Sequence, residues 1–553
     1  MRVLSGLSTI VTLATGTGKS LCYQLPAYIY SKRMNCITLV VSPLVSLMED
    51  QVFCGAPCLR VACLHTNMAP KVRETVLEEL KEGKLSVLLV SPEALASGDR
   101  LASSFLRNLP PIAFACVDEA HCVSQWSRNF RPSYLTVCQV LREKLGVKTI
   151  LGLTATATVS TVKSIIQQFG IPPSDKEAVI SDTPLPDNLL LSVSTDEDRD
   201  CALLSLLSSE RFSKCSSIIV YCTRREQCDR VAVLLRTALQ DGCTNGKSGR
   251  ISLHAEAYHA GLSAAKRKQV QKHFMTGKLR IVVATVAFGM GINKNDIRAI
   301  IHYNMPSSFE KYVQEVGRAG RDRQEAYCHL FLDPKGGDLA ELKRHIYSDT
   351  VDRHTIRKLL QMVFVSCSCP RDAQCPKHEV AFPIEEVVEA LDMPQENIQT
   401  LLCYLELHET RWVKALSPAY TTCKVASYKG AKHLRQTAKT CPPLAMALAV
   451  ADKTAQSSSR LEFDVVKLAR AMNWDSGIVK HTLKNLEWTT VDGAPKKSGI
   501  AVELSVLGFR MMSTGNLTEE QLDSALDILH GTVLNHEKAG LDQLQTTYNA
   551  MKK

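Results

Sequence analysis

The fold class expected from this chain is α/β: two doubly wound parallel-sheet domains in tandem, then a short metal-binding segment and a mostly helical remainder. Three features lead there. Up to about Asp333, short β-branched apolar runs alternate with helical patterns; beyond it, helical periodicity takes over. The first strand also runs straight into a glycine turn, Thr15 to Ser20. With 553 residues the chain is several times the usual domain size of about 150, so several cores are required.

Composition narrows the class. Hydrophobic residues make up 45% and charged residues 22%, which excludes a disordered chain. No run approaches the roughly 18 to 20 apolar residues of a membrane span, and the most apolar stretch, Ile281 to Ile292, contains two glycines. No membrane partner is therefore expected. The net charge of +10 permits a polyanionic partner without requiring one. Most of the 20 cysteines sit in apolar runs and no signal peptide opens the chain, which fits a reducing cytosolic or nuclear interior.

Domain by domain, residues 1–185 carry strand-like Ile37 to Val41, Val87 to Val90, Ile112 to Val117 and Thr149 to Leu153. Only Met1 to Leu7 precede the first strand, and a purine-recognition element normally lies upstream. The chain is accordingly expected to be a fragment or to start at an internal methionine. A proline-bearing crossing, Thr183 to Asn188, leads to residues 186–345 with strands at Ser217 to Tyr221, Arg280 to Ala284, Ala299 to Tyr303 and Tyr327 to Leu332. Asp241 to Arg250 reads as a surface loop. Residues 346–380 form a helical linker and zinc-binding segment. In 381–450, Ile384 to Leu391 and Pro394 to Leu407 read as helices, followed by the strands WVKAL and YTTCKVASY joined by a turn. In 451–515, Phe463 to Met472 and Ser476 to Trp488 read as helices before a strand at Gly499 to Val506. Helix, turn, helix, hairpin is a winged-helix order, and it occurs twice; two unrelated helical bundles are the alternative. The tail, 516–553, opens with a capping box from Thr518 to Gln521 and is expected to be helical.

The turn TGTGKS between a strand and a helix has the context of a phosphate-binding loop. Gly16 and Gly18 would let backbone N–H groups approach the phosphates, Thr15 and Thr17 complete the loop, Lys19 would reach the terminal phosphates, and Ser20 would ligate Mg²⁺. Leu13 stands where the full pattern has its first glycine. Strand Ile112 to Val117 ends in Asp118, Glu119, Ala120, His121. Asp118 would hold Mg²⁺ and Glu119 would orient and deprotonate the attacking water. In YVQEVGRAGRD, Arg318 and Arg321 fall three apart on a helix-like stretch, which would put both guanidiniums on one face. Arg321 suits an arginine finger supplied by a neighbouring domain, and Arg318 a supporting phosphate contact.

These strings, in this order, resemble a superfamily-two helicase. VDEAHCVSQWSRNFRPSY resembles the aromatic-rich loop of RecQ DNA helicases, and SPLVSLMEDQV, GLTATAT, IVYCTRREQ, AYHAGL, ATVAFGMGINKNDIR and QEVGRAGRD are similar to that family's other motifs. LDMPQENIQTLLCYLELH and the lack of a four-cysteine zinc module look like a divergent branch. The resemblance implies tandem RecA-like domains that use ATP and Mg²⁺, with Gln314 a further catalytic candidate. Trp126, Phe130 and Arg131 would sense single-stranded DNA and relay this to Glu119 and His121; Thr154 and Thr156 would couple hydrolysis to domain closure. Ser42, Ser91, Arg224 and Thr285 would touch the DNA backbone. Arg128 and Asn129, where the family often has His-Asp, and LPDNL in place of RPNL depart from the family's pattern and imply weaker coupling.

Cys367, Cys369, Cys375 and His378 form C-x-C-x5-C-x2-H, a donor set able to close a tetrahedral Zn²⁺ site; the alternative is an inert cysteine-rich loop. The function expected is an ATP-dependent 3′ to 5′ DNA helicase acting on single-stranded and forked DNA. Its expected partners are repair and replication proteins, and its expected place is the nucleus, with a cytoplasmic pool allowed. The alternatives are a weakly unwinding, strand-annealing DNA-dependent ATPase or scaffold, and an RNA helicase.

Overall fold

The computed structural model describes residues 1–552 except 15, 54, 66–67, 97–108, 125–131, 183–184, 242–252, 290–291, 293, 368, 370–374, 453–456, 492–493 and 516. Trp126, Phe130, Arg131 and Thr15 thus lie outside the described residues, as does nearly all of the loop expected at 241–250. The chain forms two compact units, the first reaching from Met1 to Ser348 and resuming at His536, the second Asp349–Asn535.

The first unit holds two all-parallel sheets. One contains β1 (Thr9–Thr12), β2 (Ile37–Val41), β3 (Val61–Leu64), β4 (Val87–Val90), β5 (Ile112–Val117), β6 (Ile150–Thr154) and β7 (Val179–Ser181), in the order β3-β4-β2-β5-β6-β1-β7. The other contains β8 (Leu189–Thr195), β9 (Ile218–Tyr221), β10 (Leu253–Tyr258), β11 (Leu279–Ala284), β12 (Ala299–His302) and β13 (Ala326–Leu332), in the order β10-β11-β9-β12-β13-β8. TIVT, ITLVV and VLLV are buried along their whole length, as strands covered by helices on both faces must be. In the second sheet, alternate residues serve opposite cores: Ile219, Val282 and Ile300 on one side, Ile218, Ile281 and Ile301 on the other.

This order decides where the chemistry sits. β5, β6 and β1 are neighbours, so the residues after Val117, Thr154 and Thr12 emerge side by side at the carboxyl edge. β11, β9 and β12 do the same in the second sheet. β3, β7, β8 and β10 add strands that the sequence reading did not place.

The second unit is built on an antiparallel sheet of β14 (His378–Pro383), β15 (Val413–Ser427), β16 (Arg460–Asp464) and β19 (Ile500–Ser513), ordered β14-β19-β15-β16; a small hairpin joins β17 (Trp488–Val491) to β18 (Ala494–Lys497). Three expectations change here. WVKAL and YTTCKVASY are one strand rather than a hairpin: a register shift between Leu416 and Ala419 absorbs Pro418, which has no N–H for the ladder. Phe463 belongs to a strand, because Asp464 caps the helix Val465–Ala471 by accepting from the N–H of Val466 and Lys467, both at 2.9 Å. The helix from Ser476 stops at Asn485, and Trp488 pairs with Lys497 in the hairpin.

The segments 381–450 and 451–515 also share a sheet. β15 and β19 pair from Val413↔Ser513 to Ser427↔Ile500. At one end of this ladder, Val413, Phe509 and Met511 pack with the helices Arg353–Val363, Ile384–Leu391 and Gln395–Leu407. At the other, Cys423, Val425, Ile500 and Val502 pack with Leu434, Leu444, Leu468 and Leu483. Two helical cores are therefore strung on one two-stranded ladder.

The final helix, Glu519–Lys552, opens with the capping box read from sequence: Thr518 Oγ1 accepts from the Gln521 N–H at 3.2 Å, and Gln521 Oε1 from the Thr518 N–H at 3.1 Å. Ala525, Leu526 and Leu529 are core residues of the second unit; Leu544 and Met551 belong to a core of the first, against Leu339, Leu342 and Ile346 of the helix Gly337–Ser348. Leu544→Ala should cost about 2 to 5 kcal/mol of the first unit's stability, measured by chemical denaturation of the full chain.

Candidate functional site

β1 delivers the chain to Gly16 and Gly18, whose φ angles of 88° and 89° lie in the left-handed region that favours glycine. Thr17 Oγ1 donates to Ala14 O at 2.7 Å and fixes the turn. Ser20 starts the helix Leu21–Arg33, so the N–H groups of its first turn face the loop. A Cβ at Gly18 would meet nothing within 4 Å. A Cβ at Gly16 would stand 3.0 Å from Arg321 Cγ, which places the stem of that arginine against the loop backbone. An open cradle of N–H groups beside Lys19 and an arginine fits a nucleotide's phosphates.

Beside it, the end of β5 presents Asp118 and Glu119. Asp118 is buried, its N–H bonded to Val41 O at 2.8 Å and its carbonyl accepting from Tyr134 Oη at 3.1 Å. Burial first, then the charge of Glu119, pushes the Asp118 carboxyl up to about 7, against the pull of Lys19. Two adjacent carboxylates short of positive charge fit Mg²⁺ with Ser20; the ion would neutralise phosphate charge there. Glu119 has φ 50° and ψ 48°, a conformation costing about 1 to 3 kcal/mol in a non-glycine residue. It turns Glu119 Oε2 to 3.3 Å from His121 Nδ1.

His121 joins this strand end to the next. Its Nδ1 lies 3.1 Å from Thr154 Oγ1, and Thr154 in turn donates to Thr156 O at 2.8 Å. With the threonine proton so committed, Nδ1 carries the imidazole proton. Burial lowers the His121 pKa, so the ring is neutral at pH 7. A chain of hydrogen bonds thus runs from His121 of DEAH to Thr154 and Thr156.

The arginines are arranged differently from the expectation. The helix Phe309–Val316, which carries Gln314, ends before either of them, and Gly317 and Gly320 turn the chain. Arg318 and Arg321 therefore lie on a turn rather than on one face of a helix. Arg318 donates to Gly289 O, and Arg321 Nη1 to Ile292 O at 2.9 Å. Burial and the neighbouring Arg318 lower Arg321 to about 10, so it remains charged, and an anion between the two guanidiniums would relieve their repulsion. Asn188, which the sequence reading did not select, holds this turn: its Nδ2 donates to Gly320 O at 2.8 Å and Gln324 O at 2.7 Å.

Among the backbone-contact candidates, two are not presented to a ligand. Ser42 is fully buried with Oγ 3.5 Å from Asp118 Oδ2, and Ser91 is buried with Oγ accepting from the Ala94 N–H at 3.2 Å. Ser42 is turned towards Asp118, and Ser91 accepts from the first turn of the helix Pro92–Ala96. Thr285 follows β11 and is half-buried. Arg224 follows β9 at the mouth of a cavity of about 630 Å³ lined also by Thr223, Asn304, Lys311 and Arg344, and is bound by Glu341 at 2.6 Å.

In the second unit, Cys367, Cys369, Cys375 and His378 bring their ligand atoms within 4.8 Å of one another. Cys367 Sγ is 3.5 Å from Cys375 Sγ, and His378 Nε2 lies 3.2 Å from Cys369 Sγ and 3.3 Å from Cys375 Sγ. Ligands around tetrahedral Zn²⁺ stand roughly 3.5 to 3.8 Å apart, so three thiols and an imidazole here fit the ion. Gly515, missed in the sequence, makes room: a Cβ would stand 2.6 Å from Cys367 Sγ.

Comparison with known proteins gives two family matches, the DEAD/DEAH box helicase over residues 1–165 and the helicase conserved C-terminal domain over 199–323. ATP-dependent DNA helicase Q4 of Homo sapiens is 46% identical over 591 aligned residues, covering 100% of this chain and 49% of that protein. ATP-dependent DNA helicase RecQ of Haemophilus influenzae is 36% identical over 334, covering 60% and 49%. The chain belongs to the RecQ helicase family. It spans about half the length of these curated RecQ relatives. The solved structure of helicase MrfA bound to DNA and AMPPNP matches 63% of the chain and 49% of its own at 18% identity with a TM-score of 0.50, which speaks to fold alone.

Three outcomes follow. Above pH 7 the native state holds Asp118 as a buried anion, whereas between about pH 4 and 7 it holds a proton that the unfolded chain has released, so this group's contribution to stability falls as pH rises through that window. In thermal melts without nucleotide, Asp118→Asn should melt above the parent at pH 8, and the difference should shrink as pH falls and vanish near pH 4. With zinc loaded on the Cys₃His cluster, a chelator should lower the melting temperature, and Gly515→Ala should weaken zinc retention about 10- to 100-fold, read by metal analysis and competition with a chromophoric chelator.

Proposed function

We propose that the chain is an ATP-dependent DNA helicase of RecQ type, in which ATP hydrolysis drives 3′ to 5′ movement on single-stranded DNA and opening of forked duplex. The observation that carries this is Arg321, from the second α/β domain, lying against Gly16 of the phosphate loop, with Asp118 and Glu119 on the neighbouring strand end. Phosphoryl transfer needs this set: donors for the phosphates, carboxylates for a divalent ion and a water, and a guanidinium for the charge spreading over the γ-phosphate.

Here Lys19 and the loop N–H groups bind phosphate, Asp118 and Ser20 hold Mg²⁺, Glu119 orients and deprotonates the water, and Arg321, Arg318 and Gln314 complete the site. The close approach of Glu119 to His121, and the hydrogen bonds from His121 to Thr154 and from Thr154 to Thr156, carry the state of the site to the next strand end. Arg224 and Thr285 take DNA phosphates, contacts that give affinity without reading sequence. Trp126, Phe130 and Arg131 sense the single strand, where aromatic stacking is worth about 1 to 3 kcal/mol per base. The Cys₃His cluster is a structural zinc site, and the second unit takes duplex at the junction. Action in the nucleus with repair, recombination and replication proteins follows from this activity. An RNA helicase shares the phosphate loop and DEAH, and weak unwinding with strand annealing shares everything but the yield.

Lys19→Ala should abolish DNA-stimulated hydrolysis, and Arg321→Ala should lower kcat by about a thousandfold with a much smaller change in KM for ATP. Steady-state ATPase with single-stranded DNA and RNA of one sequence checks both. Stimulation by RNA alone, or hydrolysis untouched by Lys19→Ala, would overturn the reading.

A further inference from the structure

The second sheet ends in β8, and among the described residues no strand pairs with its outer side. A free edge is a row of unpaired N–H and C=O groups that will accept another strand, and proteins commonly blunt it by shortness, proline, charge or a bulge. β8 uses none of these. Its sequence, LLLSVST, has no charge and no proline, and its register with β13 runs unbroken from Leu189↔Ala326 to Thr195↔Leu332. Leu190, Leu191 and Val193 are 43%, 47% and 44% exposed, so apolar side chains stand out on both faces of the strand.

The edge is held rigid from behind. His329 of β13 places Nδ1 2.8 Å from Ser192 Oγ and Nε2 3.0 Å from Ser194 Oγ, and Ser194 donates to Asp196 at 2.5 Å. A strand fixed in this way loses little entropy when another pairs with it.

The charges at the strand's end define what fits. Asp196, Glu197, Asp198 and Asp200 follow β8 and, with Asp333, line a cavity of about 370 Å³. Arg199 beside them is engaged by both oxygens of Asp338, at 2.9 and 3.1 Å, Arg230 pairs with Asp200, and exposed Lys335 comes only to 3.9 Å from Glu197. The cavity therefore keeps an excess of negative charge. Nucleic acid is repelled there. Two antiparallel copies of β8 would bring Asp187, just before one strand, towards Asp196, just after the other, so a second copy of this chain is disfavoured as well.

We propose that β8 is a docking edge for an extended segment of a partner protein, which adds a seventh strand to the sheet and places Lys or Arg side chains in the acidic cavity at the strand's end. The ladder supplies affinity, and the basic residues set position and direction. The proposal is independent of the helicase reading, because β8 lies outside the nucleotide site.

Two synthetic peptides test it on the full chain, each alternating valine and threonine over the length of β8, one with an arginine pair at its amino end and the other with the pair at its carboxyl end. One of the two should bind in fluorescence anisotropy and protect β8 amides from hydrogen exchange. Val193→Lys on the edge and Glu197→Lys in the acidic turn should each weaken binding roughly tenfold, with ATPase activity and exchange in β13 unchanged. The proposal falls if neither peptide binds, if binding leaves β8 unprotected, or if both variants bind as the parent does. It also falls if the chain alone self-associates through an edge that Val193→Lys breaks, since the occupant would then be a second copy.

Discussion

Arg321 reaches the phosphate loop only because its turn is pinned at several points. Asn188 holds the carbonyls of Gly320 and Gln324 on either side of it, and the guanidinium is anchored on Ile292 O. An arginine on a free turn would spend its time in water; here backbone carbonyls aim it. On the other side everything is set by strand order, since β5, β6 and β1 are adjacent and their ends cannot separate without breaking the sheet. The site is the meeting of a rigid edge with a guyed arginine, and its geometry depends on Asn188 as much as on the motif residues.

Much of this was legible in the sequence. Continuous β-branched runs announced buried parallel strands, and the glycine turn, DEAH and the paired arginines named the chemistry because such groups recur at fixed spacing. Strand adjacency was not legible, since it depends on which strands pair across more than a hundred residues. For the same reason Asn188 went unread: it donates to carbonyls 132 and 136 residues away. Ser42 and Ser91 matched their motif strings, yet burial turns their hydroxyls inward, and a string carries no burial. Gly317 and Gly320 did carry a signal, since two glycines around Arg318 argue against the helix assumed there.

In the second unit local signals performed unevenly. Periodicity found Ile384–Leu391 to the residue, because it rests on neighbours along the chain. It invented a hairpin at Pro418, because proline marks a turn and a bulge alike and only the partner strand tells them apart. The Cys₃His cluster was readable as a spacing, whereas the room for Cys367 comes from Gly515, far along the chain.

The shared ladder of β15 and β19 has a consequence for how this unit can change. Each helical cluster looks like a self-sufficient module, but each takes half of its floor from strands that also floor the other. A cut or transplant between residues 427 and 460 would leave both halves with an unpaired strand and an uncovered apolar face. The unit is therefore inherited and lost whole: side chains within either core are free to diversify, while the ladder that joins them has to be passed on intact.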